Sequence, residues 1–296
     1  MQIIERSNID IEKWDALVNS TPQAAVFSMS WYMDACAENW SVIVDDDYTK
    51  GIALPYTIRA GVQILYTPIF IRYVEWLGLE DDFSQVQQLI HTRFKVIQIT
   101  FKQKVLGENA ENFVYQRIDQ STEAKLGSQA KRSLKNAEKA GLKVEINTLP
   151  DTILSVVKEE LSDKYQGLND ETMTSLEALF KNAQSEKRLI AIYVMHDKVE
   201  GGIVCLQSKD SLLYLKGTVN QKAKKAGGMY LAVSTAIAYA KDKNLHFDFG
   251  GSRIEGVKKF NHNLGGEDTV YYAYTSNNGP KWFKLARRIR NKWIKK

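Results

Sequence analysis

Cysteine and histidine are scarce in this chain, and their scarcity removes whole classes of chemistry. Only Cys36 and Cys205 occur, far apart and in apolar surroundings, which reads as two reduced, structural thiols and a cytoplasmic home. The four histidines (91, 196, 246 and 262) are scattered without paired ligand spacing, so no metal is expected. No Gly-x-Ser-x-Gly elbow and no Walker loop is present. No apolar run approaches the ~20 residues that span a bilayer. The start, MQIIERSNIDIEKW, is too mixed in polarity to read as a signal peptide. Asp248-Phe249-Gly250 spells the metal-binding triplet of protein kinases, but the accompanying Gly-rich loop and His-Arg-Asp loop are missing. That match is chance.

What is present is an ordinary soluble composition, 44% hydrophobic and 25% charged, over 296 residues, a comfortable length for two domains. The net charge of +5 conceals an asymmetry: residues 278–296 hold eight Lys or Arg and no acid, while the remainder carries 32 basic and 35 acidic side chains. An anionic partner is therefore expected to meet local patches rather than the whole surface.

Two segments of similar design lie about 150 residues apart. GIALPYTIRAGVQILYTPIF (51–70) reads as strand, turn near Ala60-Gly61, strand; GGIVCLQSKDSLLYLKGTV (201–219) repeats the design with its turn at Lys209-Asp210. Each leads through a helical segment to a short alternating strand, FKVIQITF (94–101) and LHFDFG (245–250). A duplicated α/β unit follows, of mixed α+β class, covering 1–118 and 145–277, with a connector at 119–144 and a tail at 278–296. In the second unit helices are expected near 151–166 and 171–185, then a strand at 189–195, the hairpin, and an apolar helix at 228–243. The connector contains SQAKRSLKNAEKAGLKVE (128–145): Ala130, Leu134 and Ala137 recur at helical spacing, Gly141 suits a C-terminal cap, and Lys131, Lys135 and Lys139 form a stripe. Such a stripe is either a solvated face or a binding surface.

The candidate chemistry gathers at NQKAKKAGGMYLA (220–232), a loop joining a strand to the apolar helix. Gly227 and Gly228 at the helix start let the backbone approach a ligand, and free N–H groups with the helix dipole favour an anion. Asn220, Lys222, Lys224 and Lys225 add to that donor site; a flexible basic turn is the plainer alternative. Tyr214 and Lys216 lie two apart on the preceding strand and are expected to face one side. Tyr214 suits a proton donor to a leaving group, Lys216 a neutraliser of carboxylate or phosphate, and Asp248 a proton acceptor or a strand-end cap. Downstream, GSRIEGVKKFNHNLGG reads as an extended segment between two glycine hinges, with Phe260 turned inward to close the site.

Lys224-x-x-Gly227-x-Met229 resembles the Arg/Gln-x-x-Gly-x-Gly/Ala loop of the GNAT superfamily of N-acyltransferases, with Met229 at the second glycine and Gly228 beside it. In order along the chain, VFSMSWYMDAC (26–36), LPY (54–56), the basic KRSLKNAEKAGLKVE and FDFGGS…GVKKFNHNLGG look like the Fem-type, peptidoglycan bridge-forming branch of that superfamily. The resemblance spans nearly the whole chain. It implies two tandem GNAT-like units, each a mixed, mostly antiparallel sheet flanked by helices. It also implies N-acyl or aminoacyl transfer from acyl-CoA or aminoacyl-tRNA, held by the 220–228 loop, to an amine of a cell-envelope precursor or a sugar. Phe260 matches the Phe of a family Phe-Lys pair tied to acyl transfer, whereas Asn261 stands where the Lys would be. The catalytic candidates are Asp248, Tyr214 and Phe260, with a core role the alternative for Tyr214; the donor site includes Lys216, and Trp31, Tyr32 and Tyr56 are either acceptor-side residues or core aromatics.

The tail GPKWFKLARRIRNKWIKK (279–296) sets Trp282, Leu285, Ala286, Ile289 and Trp293 in an apolar stripe flanked by cations. That pattern serves a peripheral contact at the inner face of a membrane, a tRNA, or a terminal helix docked on the body. A non-catalytic GNAT-like module tethered to membrane or RNA by this tail is the rival to the enzyme.

Overall fold

A computed structural model describes residues 1–79, 83–105, 110–147, 149, 151–155, 170–251 and 253–285. The chain divides into two compact units, one of residues 1–17, 37–113 and 271–296, the other of 18–36 and 114–270.

In the first unit the sheet runs β1 (Gln2–Glu5), β2 (Asn39–Val44), β3 (Gly51–Arg59), β4 (Val62–Tyr66), β5 (Val96–Phe101) and the C-terminal β12 (Glu267–Asn277). Neighbours are antiparallel except β4 and β5, which are parallel and joined through α3 (Phe83–Arg93). Helix α1 (Ile11–Ser20) precedes β2, and Trp14 on it is fully buried. Ala60 (φ 50°) and Gly61 (φ 74°) make the β3–β4 turn where the sequence places it.

The second unit repeats the plan. Its sheet runs β7 (Lys143–Asn147), β8 (Leu189–Met195), β9 (Val199–Gln207), β10 (Ser211–Val219), β11 (His246–Asp248) and β6 (Ala110–Ile118). Again one pair is parallel, β10 with β11, and a helical crossover joins them: α6 (Gln221–Lys225) and α7 (Gly228–Asp242), the latter beginning and ending within a residue of its expected span. The pairing sequence anti, anti, anti, parallel, anti is the same in both sheets. The order in space differs from the order in the chain at one point. β6, next after β5 in sequence, pairs with β11, and β12, next after β11, pairs with β5.

Helix α2 (Ser30–Cys36) belongs to the second unit and packs with α5 (Asp170–Ser185), which in turn meets β8. The helix expected at 151–166 is seen at 151–155; its remainder lies outside the described residues. Cys36 and Cys205 are free and buried, and burial pushes both thiols up.

On its other face the second sheet is covered by α7, against which the connector helix α4 (Ser128–Lys139) packs. Small residues make this possible: Ala130 and Ala137 on α4, and Ala232, Ala236 and Ala240 on α7, are essentially inaccessible. At Gly227, which caps α7 with φ 95°, a Cβ would sit 2.3 Å from the Ser133 carbonyl of α4. Gly227→Ala should therefore cost about 2–4 kcal/mol, combining left-handed backbone strain with overpacking. Gly61→Ala, where nothing lies within 4 Å, should cost only the backbone term of about 1–2 kcal/mol. Urea unfolding of the two variants checks the difference.

Candidate functional site

The residues singled out by sequence fall around the point where β10 and β11 part. The parallel pair is short: Ser211, Leu212 and Leu213 face His246, Phe247 and Asp248, and there β11 ends. Gly250 (φ 81°) carries the chain away under the Tyr214 carbonyl, which a Cβ would meet at 2.3 Å. Asp248 fixes this exit, since its Oδ1 accepts the Gly250 N–H at 2.8 Å. Beyond Leu213, among the described residues, β10 has no strand on that side. A slot with an unpaired backbone edge results.

The edge is also bulged. Tyr214 pairs with Cys205 but Lys216 pairs with Val204, so β10 carries an extra residue between them. Because Cys205 and Val204 are neighbours on β9 they point to opposite faces, and so do their partners. Tyr214 and Lys216 therefore face opposite sides of the sheet, correcting the expectation from simple alternation. Burial agrees: Leu212 and Val219, seven apart, both enter the core beneath α7, which requires an odd insertion. Tyr214 packs against that core, donates weakly to the Gly217 carbonyl at 3.5 Å, and burial pushes its hydroxyl up, so it stays protonated. Lys216, on the other face, has no partner among the described residues, and burial lowers its pKa.

The segment 220–228 is not an open loop. Asn220 caps α6 by accepting the Ala223 N–H at 3.0 Å, and its amide nitrogen donates to Glu200. Its side chain is thus committed to structure. Lys222, Lys224 and Lys225 are exposed. At Gly227 the missing side chain makes room for α4, and at Gly228 a Cβ would meet the Ala223 carbonyl at 3.0 Å. The close approach at Gly227 is to protein.

Residues 255–263 form a helix, α8 (Glu255–Asn263), in place of the expected extended segment. Its helical spacing places Phe260 over Tyr230 in the first turn of α7, with ring centroids 4.6 Å apart. Asn261, one residue on, is turned inward and buried. Its Nδ2 donates to Gln116 Oε1 at 3.0 Å, and Gln116 Nε2 donates to Asp268 Oδ1 at 2.7 Å. Lys258 Nζ and His262 Nε2 lie 2.9 and 3.2 Å from the same carboxylate. Burial works against ionisation of Asp268, but its hydrogen bonds from Lys258 and Gln116 outweigh it and hold the pKa below the usual range. Sequence reasoning missed Gln116 and Asp268, whose partners lie 145 and 152 residues away along the chain.

The proposed acceptor residues are packed inside their units. Tyr32 is fully buried and Trp31 nearly so, both on α2 of the second unit, and Trp31 Nε1 is buried without a hydrogen-bond partner among the described residues. Tyr56 lies on β3 of the first unit and donates to Glu5 Oε2 at 2.8 Å; burial and Glu5 push its hydroxyl up to about 12. The structure does not bring Trp31 and Tyr32 together with Tyr56 in one unit. In the tail, Phe283 is buried against Ile64 and Val96, while Trp282 and Leu285 are exposed; the rest of the stripe lies outside the described residues. Among the described residues no helix is long and apolar enough to cross a membrane.

Compared with solved structures, the chain matches FemX over 94% of its own length and 98% of that chain, with a TM-score of 0.64 at 10% identity. This chain has the Fem-type, tandem GNAT fold. A tandem GNAT protein from the clavulanic acid biosynthesis pathway aligns over 95% of this chain and 99% of its own at TM-score 0.52 and 11% identity. The C-terminal domain of a putative lysylphosphatidylglycerol synthetase from Agrobacterium fabrum aligns over 90% and 91% at TM-score 0.58 and 13% identity. No protein-family model and no curated protein matches the sequence.

Within this Fem-type fold the departure at Asn261 has a local cause, because the position is interior. Asn261→Ala would leave Gln116 Oε1 without its buried donor and should cost about 1–3 kcal/mol. Asn261→Lys should cost more, since it buries a charge where Asp268 already serves Gln116, Lys258 and His262. Chemical denaturation of both variants tests this.

Proposed function

We propose that this chain is an N-acyltransferase, moving an acyl or aminoacyl group from acyl-CoA or aminoacyl-tRNA to an amine of a cell-envelope precursor or a sugar. The observation that carries the reading is the slot where β10 and β11 part, bulged at Tyr214 and Lys216 and bordered by the first turn of α7. An unpaired strand edge offers N–H groups to an acyl carbonyl, and polarising that carbonyl in a fixed geometry is the largest requirement of amine acylation.

In this reading the neutral amine attacks the carbonyl. The bond from that carbon to the thioester sulfur or ribose oxygen breaks as the leaving atom takes a proton from Tyr214, and the proton the amine loses on becoming an amide restores the phenol. A phenol that burial keeps protonated is suited to that step. Lys216 neutralises a carboxylate or phosphate from the opposite face, and Phe260 with Tyr230 closes the end of the slot nearest α7. Asp248, whose Oδ1 holds the Gly250 turn, shapes the exit of β11. The tail at 279–296 supplies a peripheral membrane contact, in line with the exposure of Trp282 and Leu285.

A second reading, a non-catalytic module of the same fold, draws support from Gly227, whose open side is filled by α4, and from the structural use of Asn220 and Asn261. A thermal-shift screen with acetyl-CoA, longer acyl-CoAs and charged tRNA separates the two. Stabilisation by one donor class is expected; stabilisation by none, with liposome binding lost on removing 279–296, would sink the enzyme.

With the donor so identified, Tyr214→Phe should lower kcat by about 10²–10⁴-fold, the range for a lost general acid. Asp248→Asn, which still accepts from Gly250, should keep most activity. A loss as large as that of Tyr214→Phe would return Asp248 to the role of proton acceptor.

A further inference from the structure

Residues 18–29, the first stretch of the second unit, lie against the start of β8 and the β9–β10 turn, and a small open cleft remains between them. Its apolar lining is Val18, Ala24, Val26 and Met29, all buried. Its charged lining is the half-buried Arg188 and Asp210 with the exposed Lys209. Backbone hydrogen bonds fix both half-buried residues. The Arg188 N–H donates to the Ala183 carbonyl at 2.8 Å and its carbonyl accepts from Gln207 at 2.7 Å, while the Asp210 carbonyl accepts the His246 N–H at 2.9 Å. Their side chains are only partly used. Arg188 Nη2 donates to Asn19 Oδ1 at 3.1 Å, and Nε and Nη1 have no partner among the described residues. Asp210 Oδ2 accepts the Gln23 N–H at 3.0 Å, and Oδ1 has no partner among them either. Arg117, the other half-buried arginine described in this unit, takes a carboxylate from Asp119, whereas Arg188 takes none. Arg188 and Asp210 thus line one cleft without pairing with each other.

We infer that this cleft binds a free α-amino acid with a short apolar side chain. Its carboxylate takes the unfilled N–H groups of Arg188, a charge-assisted contact to which a guanidinium is well suited, and Lys209 adds a second cation at the rim. Its ammonium takes Asp210 Oδ1. Its side chain rests on Val18, Ala24, Val26 and Met29, and the small cleft leaves no room for a long one. Simpler occupants fit less well. An anion alone sets a like charge beside Asp210, a cation alone meets Arg188 and Lys209, and an apolar molecule leaves both charges partly desolvated and unpaired. A zwitterion fills both and needs neither to move. A few convergent polar groups over an apolar lining are the usual make-up of a small-molecule site. The cleft sits at the start of β10, whereas the slot lies beyond Leu213, so the inference does not depend on the acyltransferase reading.

The test is isothermal titration calorimetry of the full chain with L-alanine, L-valine, acetate, ethylamine and inorganic phosphate, each at millimolar concentration. The two amino acids should bind, and acetate and ethylamine should each bind at least about 10-fold more weakly than L-alanine, because each fills only one of the two charged contacts. Arg188→Gln and Asp210→Asn should each weaken L-alanine binding by at least about 10-fold. Asp210→Asn keeps an acceptor for the Gln23 N–H, so the local backbone contact survives. Lys216→Met, at the slot, should leave L-alanine binding unchanged, which separates this cleft from an amine acceptor held at the slot. If a cleft variant fails to fold, the order of affinities in the wild-type chain decides alone.

The inference is overturned if neither amino acid binds, or if acetate, ethylamine or phosphate binds as tightly as L-alanine. It is also overturned if both cleft variants bind L-alanine as wild type does, or if Lys216→Met abolishes that binding. Any of these results rejects the cleft and leaves the acyltransferase reading standing.

Discussion

One extra residue in β10 governs the arrangement of the candidate site. Without it, Tyr214 and Lys216 would lie on one face and Leu212 and Val219 on opposite faces, so one end of the strand would lose its place beneath α7. With it, both ends of β10 fill the core, and the strand turns a tyrosine and a lysine to opposite faces of the sheet. Bulges bend and twist a strand locally. Here the bulge follows directly on the last residue paired with β11, where the two strands separate. Core packing and the separation of the two candidate groups are thus one event.

Much of the fold was legible in the sequence because it rests on local periodicity. The hairpin turns at Ala60-Gly61 and Lys209-Asp210, the strand at 189–195, the apolar helix after Gly227 and the connector helix with its Gly141 stop all follow from alternation or helical spacing. The repeat was visible for the same reason. What escaped depends on partners distant in the chain. Alternation cannot reveal a bulge here, because the inserted Leu215 is as apolar as Leu212 and Leu213. Nor can spacing show that Gly227 is a glycine because Ser133 lies against it.

The segment after Gly250 was misread for another reason. Its two glycine pairs suggested hinges around an extended piece, yet Ile254 to Leu264 contains one helical face that buries Asn261 and Leu264 and leans Phe260 on Tyr230. Glu255 in the first turn suits the helix N-terminus. The buried asparagine then becomes intelligible: it is one link of a hydrogen-bonded chain joining α8 to β6 through Gln116 and on to Asp268. Partly satisfied buried networks are costly and satisfied ones specify a unique packing. At this position the sequence keeps an amide whose partner is another amide.

The exchange of closing strands bears on how the protein is made. β5 is synthesised well before its partner β12, whose Tyr272 faces Phe101. Completing the first sheet therefore means closing a loop that contains nearly all of the second unit, at an entropic cost that grows with the logarithm of loop length. Contacts of such separation slow folding, and an open edge on β5 persists until β12 is made, as a template for pairing with other chains. The nascent protein thus passes through a long interval in which its first sheet is formed but unsealed, and its solubility in that interval depends on what shields one strand.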